Sequence, residues 1–480
     1  MTTHAQAAPD AASAAPTRSR MLALTVLCAG MLMIVLDGSI VTVALPAIQD
    51  DLGFSPADLT WTLNAYLIAF GGLLLLAGRL GDLIGRRRVF IAGLAVFTVA
   101  SLLCAVATGQ AVLIAARFLQ GVGGAMASAV SLGMIVTLFP EPRERGRAIG
   151  AFSFVGAAGA SIGQVLGGVL TQALNWHWIF LINLPLGLAA ALLALRVLEP
   201  DRGPGLRAGA DALGAVLITA ALMLGISTIV GAGANGWTSA RTLGLGALSL
   251  ALLAAFLLRQ ARAAEPLLPL RMFRSRDVSG ANLVQVLTIS GMFGFQIMVA
   301  LYMQRVLGYG AAATGLAMLP AAAAIGAVSL LLSARLSARF GERAVLLTGL
   351  AMLLAALALL VRLPSDADYV VDLLPTMLLI SGGGLVLSTL AVLGMSGAGP
   401  ADAGTASGLF NTTQQIGGAL GVAVLTTLAD GRTGALAASG HPAGEALAGG
   451  FRLAFAVAAG LLAAALLLAA VLLRPAVSKS

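Results

Sequence analysis

The sequence predicts an all-α polytopic membrane protein, and two properties of the whole chain support this prediction. Of its 480 residues, 59% are hydrophobic and only 10% are charged, and the mean hydropathy is +0.98. Soluble domains carry about 25% charged residues, because a water-facing surface needs them. In addition, apolar runs of membrane-crossing length follow one another along almost the entire chain. Most residues therefore face the lipid bilayer or other lipid-embedded helices.

Fourteen apolar runs approach or exceed the roughly 20 residues that a helix needs to cross a bilayer. Six form the first part of the chain, at 22–45, 59–79, 89–108, 111–138, 147–173 and 177–197. Two more follow at 211–231 and 242–260. The last six lie at 278–303, 312–333, 344–362, 372–395, 404–428 and 452–473.

The basic residues predict the orientation of these spans. Of the 28 Lys and Arg residues, 22 lie in segments on the side of the amino terminus, and five lie on the opposite side. By the positive-inside rule, both termini are expected in the cytoplasm. The net charge of +8 is thus explained by topology. Because the basic residues form no stripe with interleaved aromatics, we do not expect nucleic-acid binding.

A weak internal repeat divides the chain into two halves. Residues 77–90 and 333–346 align at a constant offset that pairs Arg79 with Arg335 and Gly85 with Gly341. Related halves are typical of secondary transporters. We therefore expect two six-helix bundles with two extra helices between them. The expected segments are a disordered cytoplasmic amino terminus at 1–20, a bundle at 21–198, the extra helices with cytoplasmic loops at 199–276, a second bundle at 277–473 and a cytoplasmic tail at 474–480.

Two charged residues lie within the predicted spans of the first half. At 1.5 Å per residue, Asp37 lies roughly 14 Å below the outer surface and Arg117 roughly 10 Å below it. A charge at mid-bilayer costs about 3 kcal/mol, so it must be paired, neutralised or hydrated. The similar depths predict that the two side chains share one aqueous pocket, where Asp37 carries a proton and Arg117 polarises it. Alternatively, Asp37 only forms a hydrogen bond to a neighbouring helix.

The segment GRLGDLIGRRR at 78–88, here called the signature loop, combines glycines, one carboxylate and an arginine run. Glycines permit a tight turn and close helix contact. The segment resembles the loop between the second and third helices of the major facilitator superfamily. The resemblance implies a cytoplasmic gating function for Gly78, Gly81, Asp82, Gly85, Arg86 and Arg87.

Three further stretches resemble the fourteen-span drug:proton antiporter family within that superfamily. They are LDGSIVTVALPAI at 36–48, RFLQGVGGA at 117–125 and the glycine series of the fifth span. Gln164 stands where that family usually has proline, which leaves a helix kink at this site in doubt. The antiporter-helix candidates are Gly150, Gly159, Gly163, Gln164, Gly167 and Gly168.

Four amide side chains are candidates for a substrate cavity between the two halves. Asn64 lies in the second span, and Asn411, Gln414 and Gln415 lie on one face of the thirteenth. Amides on such a face either line a cavity or form hydrogen bonds between helices. The sequence leaves both roles open.

The energy source is predicted to be a proton gradient. The only lysine is Lys479, so the phosphate-binding loop of an ATPase is missing, and no catalytic or metal-binding motif is visible. We therefore expect neither an enzyme nor a cofactor. The resemblance implies a monomeric antiporter of the bacterial cytoplasmic membrane that exports lipophilic drugs or secondary metabolites by alternating access. A proton-coupled nutrient importer and a non-transporting membrane receptor remain alternatives.

Overall fold

The computed structural model describes residues 17–473, apart from 55, 60, 202, 206–210, 264–265 and 397–401. The predicted tail at 474–480 and most of the predicted lead-in at 1–20 lie outside this part of the chain. Helix α1 begins at Thr17, so the last residues of the lead-in belong to the first helix. All regular structure among the described residues is helical.

The first half contains long helices that follow the predicted apolar runs. They are α1 (Thr17–Leu52), a short α2 (Pro56–Leu59), α3 (Trp61–Ile84), α4 (Arg86–Ala105), α5 (Gln110–Leu138) and α6 (Pro142–Ala173). The sixth run is broken at Ile182 into α7 (Trp178–Leu181) and α8 (Asn183–Val197). The two extra helices are α9 (Ala212–Asn235) and α10 (Ala240–Arg262).

The second half begins with a 3-10 turn (Leu270–Arg274) and α11 (Arg276–Arg305). Next come α12 (Ala311–Ala327), a π-helical turn (Val328–Ser333), α13 (Ala334–Phe340) and α14 (Glu342–Leu360). The chain ends with a second π-helical turn (Tyr369–Leu373), α15 (Leu374–Leu379), α16 (Gly382–Met395), α17 (Ala403–Ala438) and α18 (Ala443–Leu472).

Twelve helical segments among the described residues are long and apolar enough to cross a membrane, against the fourteen runs predicted from the sequence. The two predicted spans outside this set, 211–231 and 404–428, fall on α9 and α17. The described apolar part of α9 has only 17 residues, Leu213–Ile229. Helix α17 is long, but Asn411, Gln414 and Gln415 in its amino-terminal half lower its hydropathy.

The helices pack into two bundles that contact each other. In the first half α1 packs on α6, and α5 packs on both α3 and α4. In the second half α11 contacts α17 and α18, and α14 contacts α16 and α18. The extra helix α9 contacts α3 in the first half and α17 in the second. It therefore lies along the junction of the two halves.

The internal repeat is visible in the backbone. Gly85 precedes α4 with φ +104°, and Gly341 precedes α14 with φ +81°. Only glycine adopts such angles readily, so each half uses the same kind of turn before the corresponding helix. The offset that aligns these glycines also aligns Asp82 with Ala338, so the second half lacks the carboxylate of the signature loop.

Candidate functional site

Asp37 and Arg117 form an ion pair in the interior of the first bundle. Arg117 Nη1 on α5 donates to Asp37 Oδ2 on α1 at 2.6 Å, and both side chains are 0% exposed. The similar depths estimated from the sequence thus correspond to direct contact. Because neither charge reaches solvent, removal of one partner would leave the other buried and uncompensated, which is strongly destabilising.

Two amides complete the hydrogen bonding of the carboxylate. Gln120 Nε2 and Asn183 Nδ2 donate to Asp37 Oδ1 at 2.9 Å and 2.8 Å. Gln120 Oε1 accepts a second bond from Arg117 Nη1 at 2.6 Å. The carboxylate of Asp37 therefore accepts bonds from three side chains on two neighbouring helices, α5 and α8.

The guanidinium of Arg117 is fixed in place by α3. Arg117 Nε donates to the carbonyl oxygen of Thr62 at 2.9 Å, and the guanidinium lies 4.4 Å from the ring centroid of Tyr66. Arg117 Nη2 and Asn183 Oδ1 are buried without a hydrogen-bond partner among the described residues.

The sequence prediction missed Gln120 and Asn183, although each left a signal. Gln120 follows Arg117 by three residues, so both side chains lie on one face of α5. Asn183 is a single amide in the apolar run WIFLINLPLG, where a polar residue is expensive and usually functional. The break at Ile182 starts α8 at Asn183 and places this amide beside Asp37.

The signature loop contacts the second half at one face of the bundle, here called the loop face. Asp82 Oδ1 accepts from the backbone N–H of Gly404 at 2.9 Å, and Oδ2 accepts from that of Thr405 at 2.7 Å. Both amides belong to the first turn of α17, where the helix dipole favours a negative charge. Arg86 holds the same carboxylate, with Nη2 at 2.9 Å from Oδ1. We call this set the loop-face contact.

Gly78 of the signature loop allows the two halves to approach at this contact, and Gly81 allows α3 to approach α5 within the first half. A Cβ added at Gly78 would lie 3.2 Å from the Cα atom of Gly408, and one added at Gly81 would overlap the side chain of Val130. Arg87 leaves this contact, because its guanidinium donates to the carbonyl oxygen of Leu195. The structure thus places Gly78, Gly81, Asp82, Gly85 and Arg86 at or next to the loop-face contact. It directs Arg87 toward α8.

The predicted antiporter helix is α6, and it packs against α1. A Cβ added at Gly163 would lie 2.7 Å from the carbonyl oxygen of Leu36, and one at Gly167 would lie 2.7 Å from that of Ile40. A Cβ added at Gly159 would lie 3.4 Å from the side chain of Val35. A Cβ added at Gly168 would have no neighbour closer than the side chain of Val43 at 3.9 Å. The glycine face of α6 therefore contacts α1, the helix that bears Asp37.

The remaining antiporter-helix candidates differ in their surroundings. A Cβ added at Gly150 would lie 2.6 Å from the carbonyl oxygen of Ser329, so this glycine contacts the second half. Helix α6 runs without interruption through Gln164, whose side chain lies outside the part that the structure describes.

The four cavity candidates lie on α3 and α17, which contact each other. Asn411 Nδ2 donates to the carbonyl oxygens of Ser407 at 3.0 Å and Ser128 at 3.3 Å, so it forms a hydrogen bond between the halves. Asn64, Gln414 and Gln415 are partly buried. A separate cleft of about 200 Å³ lies between α6, α13, α14 and α16, and none of the four residues lines it.

Comparison with known proteins gives a family and two similar curated chains. Residues 27–422 match the family model of the Major Facilitator Superfamily. The chain is 41% identical over 447 residues to the cephamycin export protein CmcT of Amycolatopsis lactamdurans, which covers 92% of each chain. It is 38% identical over 460 residues to the puromycin resistance protein pur8 of Streptomyces alboniger, covering 94% of this chain and 91% of the relative.

A solved structure shares the fold. The crystal structure of the human organic anion transporter MFSD10 (TETRAN) superposes with a TM-score of 0.68, covering 95% of this chain and 100% of that one. The sequence identity is 17%, so this likeness concerns the arrangement of helices alone.

Proposed function

The chain belongs to the Major Facilitator Superfamily, and we propose that it exports antibiotics or related small organic metabolites across the bacterial cytoplasmic membrane. Similarity to proteins named for cephamycin export and puromycin resistance, over more than nine-tenths of each chain, supports this function most strongly. The expected substrates are lipophilic, because few polar groups are available in an interior of this composition.

We further propose that export is coupled to proton entry through Asp37. The support is the geometry of the carboxylate, which is fully buried and held by Arg117, Gln120 and Asn183. A proton that neutralises Asp37 removes the attraction to Arg117, so the two helices that bear them become free to change their packing. A proton moving through 100 mV releases about 2.3 kcal/mol, which can drive uphill export when it is exchanged for substrate.

Alternating access would use the two packing surfaces described above. Asp82 and the first turn of α17 would close the cytoplasmic side, and α6 would transmit changes at Asp37 because its glycines contact α1. The amides Asn64, Asn411, Gln414 and Gln415 would contact substrate once the halves separate. A monomer would suffice for this cycle, because both bundles belong to one chain.

We assign the protein to the fourteen-span drug:proton antiporters with both termini in the cytoplasm. In this assignment α9 and α17 cross the membrane with the twelve more apolar segments, and residues 199–276 form a two-helix insertion between six-helix bundles. The segregation of 22 basic residues to one side against five on the other supports this count, because a span gained or lost would mix the two groups.

Expression in a bacterial host that lacks its own efflux pumps tests the export function. Growth against a panel of antibiotics that includes puromycin should show increased resistance to at least one drug and lower intracellular drug. An inactive control is the host with the Asp37→Asn variant at equal membrane abundance. Unchanged resistance across the panel would contradict export, and higher drug accumulation than in empty cells would indicate import.

A further inference from the structure

Residues 199–201 and 203–205, here called the crossing segment, run directly over the signature loop. Asp201 Oδ2 accepts from the backbone N–H of Arg86 at 2.6 Å, and Oδ1 accepts from that of Arg87 at 3.1 Å. The backbone N–H of Gly205 donates to the carbonyl oxygen of Leu83 at 2.8 Å. Both amides bound by Asp201 lie in the first turn of α4.

Helix α4 is thus capped by a residue that is distant in the sequence. Its own N-cap residue is Gly85, which has no side chain to accept a bond from the first turn. A cap normally comes from the residue just before the helix, and Asp is among the preferred types. Here Asp201 supplies the acceptor from 115 residues further along the chain.

The two segments are in close backbone contact at the crossing. A Cβ added at Gly85 would lie 2.6 Å from the carbonyl oxygen of Asp201, and one at Gly203 would lie 2.6 Å from that of Asp82. Glycine at both positions therefore permits the contact. The crossing segment consequently fixes the geometry of the turn before α4.

Arg86 connects this cap to the closure between the halves. Its backbone N–H bonds to Asp201, and its guanidinium bonds to Asp82, which in turn accepts from the first turn of α17. Loss of the bond between Asp201 and the backbone N–H of Arg86 would let the start of α4 fray. It would thereby shift the Arg86 guanidinium that bonds to Asp82.

We propose that Asp201 is a positioning residue for the loop-face contact: it holds the start of α4 so that Arg86 keeps Asp82 on α17. The crossing segment is thereby a working part of the closure, rather than a passive connection to the extra helices. This proposal goes beyond the export function, because it concerns the opening of one face and needs neither substrate nor proton.

The test measures the opening of the loop face directly, without transport. Ser407 on α17 is fully buried, about one turn beyond the amides that Asp82 binds, and is replaced by cysteine. The rate of its reaction with N-ethylmaleimide, read by mass spectrometry so that Cys28 and Cys104 are counted separately, reports opening. Asp201→Ala should raise this rate roughly fivefold, the factor that loss of one helix cap gives. The labelling rate of Asp201→Asn, which keeps an acceptor, should lie between that of Asp201→Ala and that of the parent protein.

A matched control removes a cap elsewhere. The hydroxyl oxygen of Ser239 accepts from the backbone N–H of Thr242 at 3.2 Å at the start of α10, so Ser239→Ala loses a cap without touching the loop face. It should leave the labelling rate unchanged. If Ser239→Ala raises the rate as much as Asp201→Ala does, or if both Asp201 variants label like the parent, the proposal is wrong.

A double variant separates positioning from general destabilisation. Asp82→Asn alone should raise labelling, because it removes the charge that α17 binds. If Asp201 acts through Arg86 and Asp82, adding Asp201→Ala to Asp82→Asn should change the rate little further. If the two substitutions together multiply the labelling rate by the product of their separate effects, Asp201 and Asp82 act independently and the proposal is wrong. A protein that opens as described but exports nothing would refute the export function and leave this inference standing.

Discussion

At the scale of the residue, the central feature is a fully buried carboxylate that accepts hydrogen bonds from three side chains. Asp37 accepts from Arg117, Gln120 and Asn183 with distances between 2.6 and 2.9 Å. Charge-assisted bonds of this kind are about twice as strong as neutral ones. An added proton weakens all three bonds at once, so the protonation of one residue can alter the contacts of three helices.

Asp37→Asn should abolish export against a gradient and retain exchange of substrate at equilibrium. The substitution keeps the shape of the side chain and removes the group that can gain and lose a proton. Asp37→Glu should retain partial activity, because the titrating group remains and only its position changes. Uphill efflux and counterflow from proteoliposomes at equal protein content measure the two activities. Wild-type uphill efflux by the Asn variant would show that another group carries the proton.

Asn183→Leu should slow proton-coupled export roughly tenfold or more at normal abundance. The substitution removes one of three donors to a buried charge, and a hydrogen bond to a charged group contributes about 1.5–3 kcal/mol. Asn235→Leu is the matched control, because the Asn235 amide bonds to the carbonyl oxygen of Gly231 in its own helix and to no other residue among those that the structure describes. Equal efflux rates for the two variants would deny Asn183 a role at the site.

The residues of this site could be predicted from the sequence only in part. Counting residues from the outer ends of the first and fourth predicted spans placed Asp37 and Arg117 at similar depths, because helices rise regularly. The same count cannot tell which side of a helix faces which neighbour. Asn183 was missed because its position depends on the break at Ile182, and Asp201 was missed because the helix it caps begins 115 residues earlier.

At the scale of the element, α6 is built to lie very close to α1. Gly159, Gly163 and Gly167 recur every four residues, so they form one face. Carbonyl oxygens of α1 lie within 2.7 Å of the positions that side chains at Gly163 and Gly167 would take. In a membrane such small-residue faces allow helices to associate through backbone contact.

Gly163→Leu should reduce export at least tenfold, whereas Gly168→Leu should reduce it only slightly. Both glycines lie on α6, but only Gly163 faces the backbone of α1, and overpacking of such a contact costs about 1–3 kcal/mol. Efflux rates at equal membrane abundance provide the comparison. Equal rates for the two variants would mean that close contact between α1 and α6 has no part in transport.

Ala338→Asp should slow export several-fold without lowering abundance. The repeat aligns Ala338 with Asp82, and Ala338 lines the cleft that also contains Pro142 and Arg143 at the start of α6. A carboxylate there would share the cleft with the amino terminus of α6 and Arg143, and also with Glu342. We expect the attraction to the helix terminus and the cation to exceed the repulsion from Glu342 and so to stabilise the loop face. Ala338→Asn, which adds similar volume without charge, is the control. Faster efflux by the Asp variant would contradict this symmetry argument.

At the scale of the whole molecule, the two halves are joined at the loop face by backbone-to-backbone packing and by a few polar bonds. Asp82 binds α17, Ser329 Oγ donates to the carbonyl oxygen of Gly150 at 3.1 Å, and Asn411 bonds to that of Ser128. The arrangement suits a rocking motion of one half against the other.

The fold class was predictable from composition, since a chain with 10% charged residues can form little water-facing surface. The superfamily was predictable from the signature loop, and the match over residues 27–422 confirms it. The number of crossings was less predictable. Helix α17 combines an apolar length with Asn411, Gln414 and Gln415, so its composition alone does not decide whether lipid or protein surrounds it.

The most direct test of proton-coupled export is drug loading of inverted membrane vesicles with an acidified interior. In these vesicles the cytoplasmic side faces outward, so an exporter that exchanges drug for protons should concentrate drug inside. The drug is one to which expression of the protein confers resistance. We predict that wild-type vesicles accumulate it, that a protonophore abolishes accumulation, and that vesicles with Asp37→Asn do not accumulate it. Loading that survives the protonophore, or that requires an alkaline interior, would contradict proton-coupled export by this protein.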